Sequence, residues 1–294
     1  MDLIEIEFAS YASLLQVVEF SSLAFLIALV SETVWDTVRG KRKLPGDTVA
    51  NSVIAVVTVL LERTIYGVAF IIGLVLITPF VSFELPHGWW ILPSAIVAAD
   101  FSYYWMHRCE HKVRIFWANH SVHHSSREFN FTTALRVSWM DGLIEWLFFI
   151  PMILLGFSVV ETVVGLVIVV AYQSWIHTEK VGKLGWLDKV FNTPSVHRVH
   201  HGTNARYVDK NYGGILIVWD RLFGTFEPEE ERVIYGLDKP ITSHNPLIIN
   251  FKEYLVIFRD VKRATNLASA LGYVFRHPGW NPEPPVLAGS KTDA

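Results

Sequence analysis

Long apolar runs separated by short polar segments dominate the first 176 residues of the chain. A helix needs about 20 mostly apolar residues to cross a hydrocarbon core of ~30 Å, and three of the runs predict one crossing each. The fourth run, residues 143–176, would form a helix of ~51 Å, which is too long for one crossing. Pro151 and Gly156 offer a break within it, so we expect a helical hairpin. The first three runs cover residues 14–30, 51–81 and 89–106.

Basic residues predict which loops face the cytoplasm. The loop after the first run contains Arg39, Lys41, Arg42 and Lys43, so we expect it to be cytoplasmic and the N-terminus to lie on the other side. The polar segment after the third run is also net basic, through Arg108, Lys112, Arg114, Arg127 and Arg136. If both loops are cytoplasmic, residues 51–81 cross the membrane once, despite the charged pair Glu62 and Arg63 near their middle.

The composition also indicates a membrane protein. Apolar residues make up 51% of the chain and charged residues 18%, and the mean hydropathy is +0.33, which is unusual for a soluble domain. The residues before the first run include Asp2, Glu5 and Glu7, where a cleaved signal would be basic, so we expect this run to be retained. The net charge of −3 and the lack of a basic stripe argue against a nucleic-acid partner. Cys109 is the only cysteine, so no intrachain disulfide can form.

These patterns predict an all-α integral membrane protein. We expect about four to five transmembrane helices and a cytosolic helical cap rich in histidine. No compositional break divides the chain, so we predict a single membrane-embedded domain over residues 1–280. The Pro-rich residues 281–294 are typical of a flexible C-terminal tail.

The candidate chemistry lies in the spacing of the histidines. His107 and His111 are four residues apart, which places both rings on one face of a helix. Two further clusters have the spacing i, i+3, i+4, and His177 lies between them. Nine of the twelve histidines thus fall within 95 residues. The two further clusters are His120, His123, His124 and His197, His200, His201.

Three such clusters beside apolar spans favour a metal centre, because an unpaired polar ring is costly there. A structural zinc site uses four ligands, whereas eight or nine imidazoles are enough for two metal ions with open positions. Imidazole binds Fe, Zn, Cu and Ni, so the ring alone does not name the metal. A haem-binding membrane electron carrier, a metal transporter and a zinc hydrolase are the alternatives from other classes. His87, His244 and His277 are interpreted as ordinary histidines.

Polar residues near the clusters are candidates for orienting the histidines or assisting the reaction. Asp100 lies two helical turns before His107, and Asn204 lies four residues after His200. A metal-binding histidine usually donates its second N–H to such an acceptor. We predict that both residues contribute to catalysis. Asp209, Asn211 and Tyr212 follow closely and are further candidates.

With these residues in view, the chain resembles the fatty acid hydroxylase and sterol desaturase superfamily of membrane di-iron enzymes. That superfamily carries the boxes HxxxH, HxxHH and HxxHH, and all eight positions are matched. The resemblance is closest to the alkylglycerol monooxygenases and covers about residues 100–280. The similar stretches are DFSYYWMHR from Asp100, HHSSREFNFTTALR from His123, WIHTE from Trp175, NTPSVHRVHHG from Asn192, DKNYGG from Asp209 and WDRLFGTFEPE from Trp219.

The resemblance implies that His177 is the ninth ligand and that the nine histidines hold two iron ions. It also implies an O2-dependent membrane oxidoreductase that hydroxylates a C–H bond of an alkylglycerol or other ether lipid, a sterol or a fatty acyl chain. A lipid desaturase of the same superfamily is the second interpretation. The implied partners are the lipid substrate, the bilayer, O2 and a redox partner protein.

The resemblance leaves the electron donor open between tetrahydrobiopterin, cytochrome b5 and ferredoxin. The membrane would be a bacterial inner membrane or the endoplasmic reticulum, with the histidines facing the cytoplasm. One difference stands beside the first box: Lys112 directly follows it, where alkylglycerol monooxygenases tend to carry Glu.

Overall fold

The computed structural model describes residue 7 and residues 9–40 and 44–282 of the chain, and the regular secondary structure of these residues is helical. These residues contain no β-strand, only isolated bridges between Phe191 and Leu216 and between Gly202 and Tyr235. The predicted all-α fold is thus confirmed. Asp2, Glu5, the basic residues Lys41–Lys43 and the tail beyond residue 282 lie outside the described residues.

Three helical segments are long and apolar enough to cross a membrane. The first is α1 (Ala12–Val38), whose most apolar window has no buried residue. The second is continuous from Pro45 to Phe80 and consists of α2 (Pro45–Leu61), a π-helical turn (Glu62–Tyr66), α3 (Gly67–Val75) and a 3₁₀ turn (Thr78–Phe80). The third is α7 (Val159–Gln173) with the 3₁₀ turn Ser174–Ile176. The charged pair Glu62 and Arg63 therefore widens one turn without breaking the second segment.

The predicted third span, residues 89–106, lies mostly in helix α4, which runs for 22 residues from Ile91 to Lys112. This helix is about 33 Å long at 1.5 Å per residue. It is not among the three candidate spans, because it contains Asp100 near its middle and the polar sequence from His107 to Lys112 at its end. Three of the expected four to five spans are thus identified, and the larger number remains a prediction.

The fourth apolar run reverses direction as expected, but its two arms are unequal. The first arm, Glu145–Leu154, has a 3₁₀ turn (Glu145–Phe149) followed by the short helix α6 (Ile150–Leu154). Its length of about 15–20 Å is less than a full crossing. Gly156 makes the reversal with φ of +90°, which favours glycine. The expectation of a break at Pro151 is wrong, because proline in the first turn of α6 loses no helical hydrogen bond.

The second arm begins at a capping box and packs closely on α4. The Ser158 hydroxyl accepts from the Glu161 N–H at 3.0 Å, and the Glu161 carboxylate accepts from the Ser158 N–H at 2.8 Å. Farther along α7, a methyl group at Gly165 would lie 2.8 Å from the carbonyl oxygen of Ala95 in α4. Small residues at such positions let membrane helices approach each other. The pair α4–α7 therefore forms the rigid base beneath the histidines.

The remaining helices form a cap over the ends of α4 and α7. Helix α8 starts at Pro194, where the Thr193 hydroxyl accepts from the Val196 N–H at 3.5 Å. The hairpin of α10 and α11 packs against α5 through Arg114, described below. The cap helices are α5 (Arg114–His124), α8 (Pro194–His200), α9 (Val218–Leu222), α10 (Pro246–Arg263) and α11 (Leu267–Phe275).

Candidate metal centre

All nine predicted histidines converge in the cap, in two adjacent groups. Each residue of a group offers a ligand atom, and these atoms lie within 4.8 Å of one another. Eight of the nine are buried, and His123 is partly buried. One group has five members, His107, His111, His120, His124 and His200, and the other has four, His123, His177, His197 and His201. The elements that supply them are α4, α5, α8 and the segment after α7.

Within each group the Nε2 atoms point at one another. In the five-histidine group, Nε2 of His107 lies 2.9 Å from Nε2 of His120, and Nε2 of His124 lies 3.0 Å from Nε2 of His200. In the four-histidine group, Nε2 of His177 lies 3.1 Å from that of His123 and 2.9 Å from that of His197. Two compact clusters of ring nitrogens result.

Four of the outer Nδ1 atoms face backbone carbonyls in the surrounding chain. Nδ1–H of His107 donates to the carbonyl oxygen of Tyr212 at 2.9 Å, and that of His200 donates to Lys210 at 2.9 Å. His123 and His177 donate in the same way to the carbonyls of Arg136 (3.2 Å) and Gln173 (2.9 Å). These acceptors fix the proton on Nδ1 of each ring, since a carbonyl can only accept.

Two carboxylates face the Nδ1 atoms of two further histidines. Oε2 of Glu110 lies 3.2 Å from Nδ1 of His120, and Oδ1 of Asp209 lies 3.7 Å from Nδ1 of His111. A ligand histidine commonly donates its second N–H to a carboxylate, which raises the basicity of the ligating nitrogen. Asp209 also pairs with Lys112, the residue directly after the first histidine box. Lys112 is thus part of the surroundings of His111.

This proton arrangement fits metal ions. With protons on Nδ1, the Nε2 atoms of His107 and His120 turn lone pairs toward each other at 2.9 Å, and no hydrogen joins them. The same holds for His123 and His177 at 3.1 Å. The buried Nε2 of His111 has no hydrogen-bond partner among the described residues. Opposed, unsatisfied lone pairs are costly in a buried site, and a cation bound between them removes that cost.

The rings stay neutral, as ligation requires. Burial is the largest cause that lowers the pKa of His123 to about 4. Burial, with the neighbouring histidines adding to it, holds the pKa of the other cap histidines of α5 and α8 well below the usual 6.5. These are His120, His124, His197, His200 and His201.

A tight turn brings two of the carbonyl acceptors to the five-histidine group. Asp209 and Asn211 have φ of +62° and +59°, a left-handed conformation that Asp and Asn tolerate best after Gly. The Asn211 side chain secures the turn by donating to the carbonyls of Val196 (3.0 Å) and Glu227 (2.8 Å). The turn thereby directs the carbonyl of Lys210 to His200 and that of Tyr212 to His107. The stretch DKNYGG thus has a structural role at the site.

Neither Asp100 nor Asn204 forms a hydrogen bond with a histidine of the described residues. The buried carboxylate of Asp100 accepts from the N–H groups of Ile215 (2.6 Å) and Leu216 (3.0 Å) and from the indole of Trp219 (2.9 Å). It thereby ties α4 to the loop after the DKNYGG turn. Asn204 is half-buried and binds the side chain of Glu231 and the backbone of Ile234 at the cap surface. Their part in catalysis remains a prediction.

Sequence reasoning missed Glu110 as the partner of His120. The available signal was an acidic residue inside the first histidine box, three residues after His107. At that spacing its side chain lies on the same side of α4 as the ligand, where a charge is buried and needs a partner. It also missed the carbonyl acceptors of Arg136 and Gln173, which no side-chain pattern reveals.

The comparison with protein families agrees with this site. Residues 92–225 match the family model described as fatty acid hydroxylase. The matched segment contains all nine histidines, from His107 to His201. The resemblance to the fatty acid hydroxylase and sterol desaturase superfamily is therefore confirmed.

Individual proteins are also similar to the chain. Alkylglycerol monooxygenase of Xenopus tropicalis is 42% identical over 206 residues, which cover 69% of this chain and 45% of the relative. The Homo sapiens protein of the same name is 43% identical over 202 residues, with the same coverage of 69% and 45%. Ornithine lipid hydroxylase of Rhizobium tropici is 33% identical over 133 residues, covering 45% of this chain and 40% of the relative.

The chain thus spans about half the length of the curated alkylglycerol monooxygenases that it matches. No solved structure matches the chain significantly.

Proposed function

We propose that the chain is an O2-dependent di-iron oxidoreductase of the membrane that hydroxylates a C–H bond of a lipid. The observation that carries this proposal is the pair of adjacent histidine groups with opposed Nε2 lone pairs. Five and four neutral imidazoles are more than one structural ion needs, and they suit two ions that keep open positions. The names of the relatives, monooxygenase and hydroxylase, support the same class.

In this proposal the five-histidine group holds one iron ion and the four-histidine group holds the other. The chemistry that iron supplies at such a site is the activation of O2 for attack on a C–H bond. The chain orients six of the nine ligand rings through acceptors that face their Nδ1 atoms. It also keeps the rings neutral by burial and surrounds them with aromatic side chains such as Phe129, whose ring centroid lies 5.6 Å from that of His177.

A groove between α1 and α7 supports a lipid substrate. Its volume is about 560 Å³, and its lining is almost entirely apolar, including Val17, Phe25 and Ile168. Toward the cap it is lined by Phe131 and Trp175, each two residues along the chain from the site residues Phe129 and His177. Because most of α1 is exposed to the hydrocarbon region, an alkyl chain could enter this groove from the bilayer.

Among lipids we favour an ether lipid, since two relatives are named alkylglycerol monooxygenase. Hydroxylation of the carbon next to the ether oxygen would give a hemiacetal, which collapses to a fatty aldehyde and the free glycerol hydroxyl. One oxygen atom of O2 enters the lipid, and the other leaves as water with two electrons from the donor. The donor stays open between tetrahydrobiopterin, cytochrome b5 and ferredoxin, and the cap is proposed to face the cytoplasm.

The test is turnover under 18O2. The purified protein, loaded with iron and chemically reduced without oxygen, is mixed with a membrane lipid extract and then exposed to 18O2. We expect lipid-derived products carrying one 18O atom and an iron content of two per chain. A product that lacks two hydrogens and carries no 18O would instead indicate desaturation. A Soret band would indicate a haem carrier, and zinc as the only bound metal would indicate a hydrolase.

The variant His123→Ala separates site loss from general damage, with His87→Ala as its control. His123 belongs to the four-histidine group, whereas the His87 side chain is 75% exposed and outside both groups. We expect His123→Ala to lose iron and activity and His87→Ala to keep both. Full activity of His123→Ala would contradict the proposal. Turnover by a preparation that contains far less than one iron ion per chain would also contradict it.

A further inference from the structure

The hairpin of α10 and α11 exposes a continuous set of large apolar side chains. On α10 they recur at helical spacing, and Leu255 is 66% exposed. On α11, Leu267 is 74% exposed, and two further apolar residues follow at four-residue intervals. Single exposed apolar residues are common, but a clustered set marks an interaction surface. The set is Leu247, Ile248, Leu255, Phe258, Leu267, Leu271 and Phe275, and we name it the hairpin face.

The opposite side of the hairpin is fixed to the cap by polar contacts. Arg114, at the start of α5, donates to the carboxylates of Glu253 (3.2 Å) and Asp260 (2.7 Å) in α10. Its backbone N–H donates to the carbonyl of Arg276, just beyond α11, at 3.0 Å. The side chain of Asn250 accepts from the backbone of Trp139 at 2.9 Å. Because its inner side is held in this way, the hairpin presents the hairpin face in a fixed orientation.

Charge is divided between the two sides of the hairpin. Both acidic residues of α10, Glu253 and Asp260, are engaged by Arg114 on the inner side. The basic residues Arg259, Lys262 and Arg263 are exposed beside the hairpin face. An apolar stripe with an exposed basic border is the pattern of a helix that lies in the interface of an anionic membrane.

The hairpin also lies beside a predicted span. Ile249 of α10 packs in one buried cluster with Ala50 and Ile54 of α2. Ile54 is nine residues into α2, about 14 Å from the start of the helix. On the outer side of the same stretch of α2, Val53 and Val56 are exposed as expected for residues that face lipid. The hairpin thus lies beside a stretch of α2 whose outer side is apolar and exposed.

We propose that α10 and α11 form an interfacial anchor, with the hairpin face inserted among the acyl chains and its basic border on anionic lipid headgroups. Because Arg114 joins the hairpin to α5, this anchor would set the height of the histidine cap above the bilayer. The alternative is that a second copy of the chain covers the hairpin face. That copy would need an acidic border to match the basic one, whereas anionic headgroups match the basic border directly.

The test is site-specific fluorescence on the full chain in lipid vesicles. In a Cys109→Ala background, single cysteines replace Leu255, Leu271 or Ile234 and carry an environment-sensitive NBD group. Ile234 is the matched control, because it is also apolar and 62% exposed but lies outside the hairpin. The vesicles contain phosphatidylcholine alone or with phosphatidylglycerol, and some lipids carry a nitroxide quencher near the headgroup.

We expect NBD at positions 255 and 271 to emit at shorter wavelength and to be quenched strongly by the nitroxide lipids, and NBD at position 234 to be quenched weakly. Quenching at 255 and 271 should increase with phosphatidylglycerol, and Lys262→Glu with Arg263→Glu should abolish that increase. Equal, weak quenching at all three positions would overturn the proposal. So would a blue shift that needs high protein density and occurs without quenching, since it would indicate a second copy.

Discussion

The contact between Glu110 and His120 predicts how much iron affinity is lost when Glu110 is removed, because the size of the loss depends on which nitrogen of His120 carries the proton. In Glu110→Ala, Nδ1–H of His120 loses its acceptor at 3.2 Å in a buried site. Without metal, the ring can avoid this loss by moving its proton to Nε2, where Nε2 of His107 lies 2.9 Å away as an acceptor. With metal, Nε2 must be a lone pair, so the proton stays on Nδ1 without a partner.

The penalty therefore falls on metal binding rather than on folding. An unsatisfied buried donor costs about 1–3 kcal/mol, and each 1.4 kcal/mol is about tenfold in affinity. We expect Glu110→Ala to weaken one of the two iron sites by roughly 10–100-fold, the range seen when such partners of ligand histidines are removed. Glu110→Gln keeps an acceptor oxygen, so the iron affinity of this variant should lie between those of the wild type and Glu110→Ala.

The assay is competitive iron titration against a chelator, which resolves two binding steps. The matched control is Glu231→Ala, which removes an exposed carboxylate near Asn204 and should leave both steps unchanged. Unchanged binding of both ions in Glu110→Ala would refute the reasoning. Equal weakening of both steps would also refute it, because Glu110 contacts only the five-histidine group.

Three further predictions test the scaffold. Arg136→Met should lower the free energy of unfolding by about 3–5 kcal/mol, since it removes the guanidinium partner of the buried Asp47 carboxylate and leaves that carboxylate with Ser126, the Arg127 N–H and His244. Thermal unfolding measures this loss, and adding Asp47→Asn should restore part of it. His123 is neutral in the fold, with its pKa lowered to about 4. Below pH 6.5 the unfolded chain therefore binds more protons, and apo-protein stability should fall from pH 6.5 to about 4; a rise across this range would contradict the assignment. Gly165→Ala should lower the unfolding temperature, because its methyl group would meet α4, whereas Gly182→Ala, with open space around it, should not.

The three histidine clusters could be predicted from sequence because their spacing is a local property of a helix. Their division into groups of five and four could also have been anticipated in part. Adjacent residues of a helix point ~100° apart. The two members of the pair His123–His124 are therefore expected to bind different ions, and so are those of the pair His200–His201. In the structure each pair is indeed divided between the two groups. Which ring goes to which group depends on the tertiary packing of α5 and α8, which spacing does not encode.

Features set by tertiary contacts were harder to predict from the sequence. Asp100 stands on the expected face of α4, yet its carboxylate binds the backbone of Ile215 and Leu216 instead of a histidine. The loop that supplies those N–H groups is more than 100 residues away in sequence, so periodicity could not predict the contact. The unequal arms of the fourth apolar run, residues 143–176, depend likewise on Pro151 starting a helix. A proline that starts a helix looks the same in sequence as one that ends it.

The carbonyl acceptors of the ligand histidines have a consequence for how this site can change over time. At Lys210 and Gln173 the group that orients the metal ligand is the peptide itself, and every amino acid carries it. A substitution at either position keeps that carbonyl, while any shift of the main chain there would tilt a ligand ring. At position 210 the orienting group therefore survives a change of side chain, but an insertion or deletion of one residue in the turn that contains Lys210 would displace it. Mutational scans should show position 210 as more tolerant of substitution than its neighbours Asp209 and Asn211, whose side chains the site uses, and the whole turn as intolerant of changes in length.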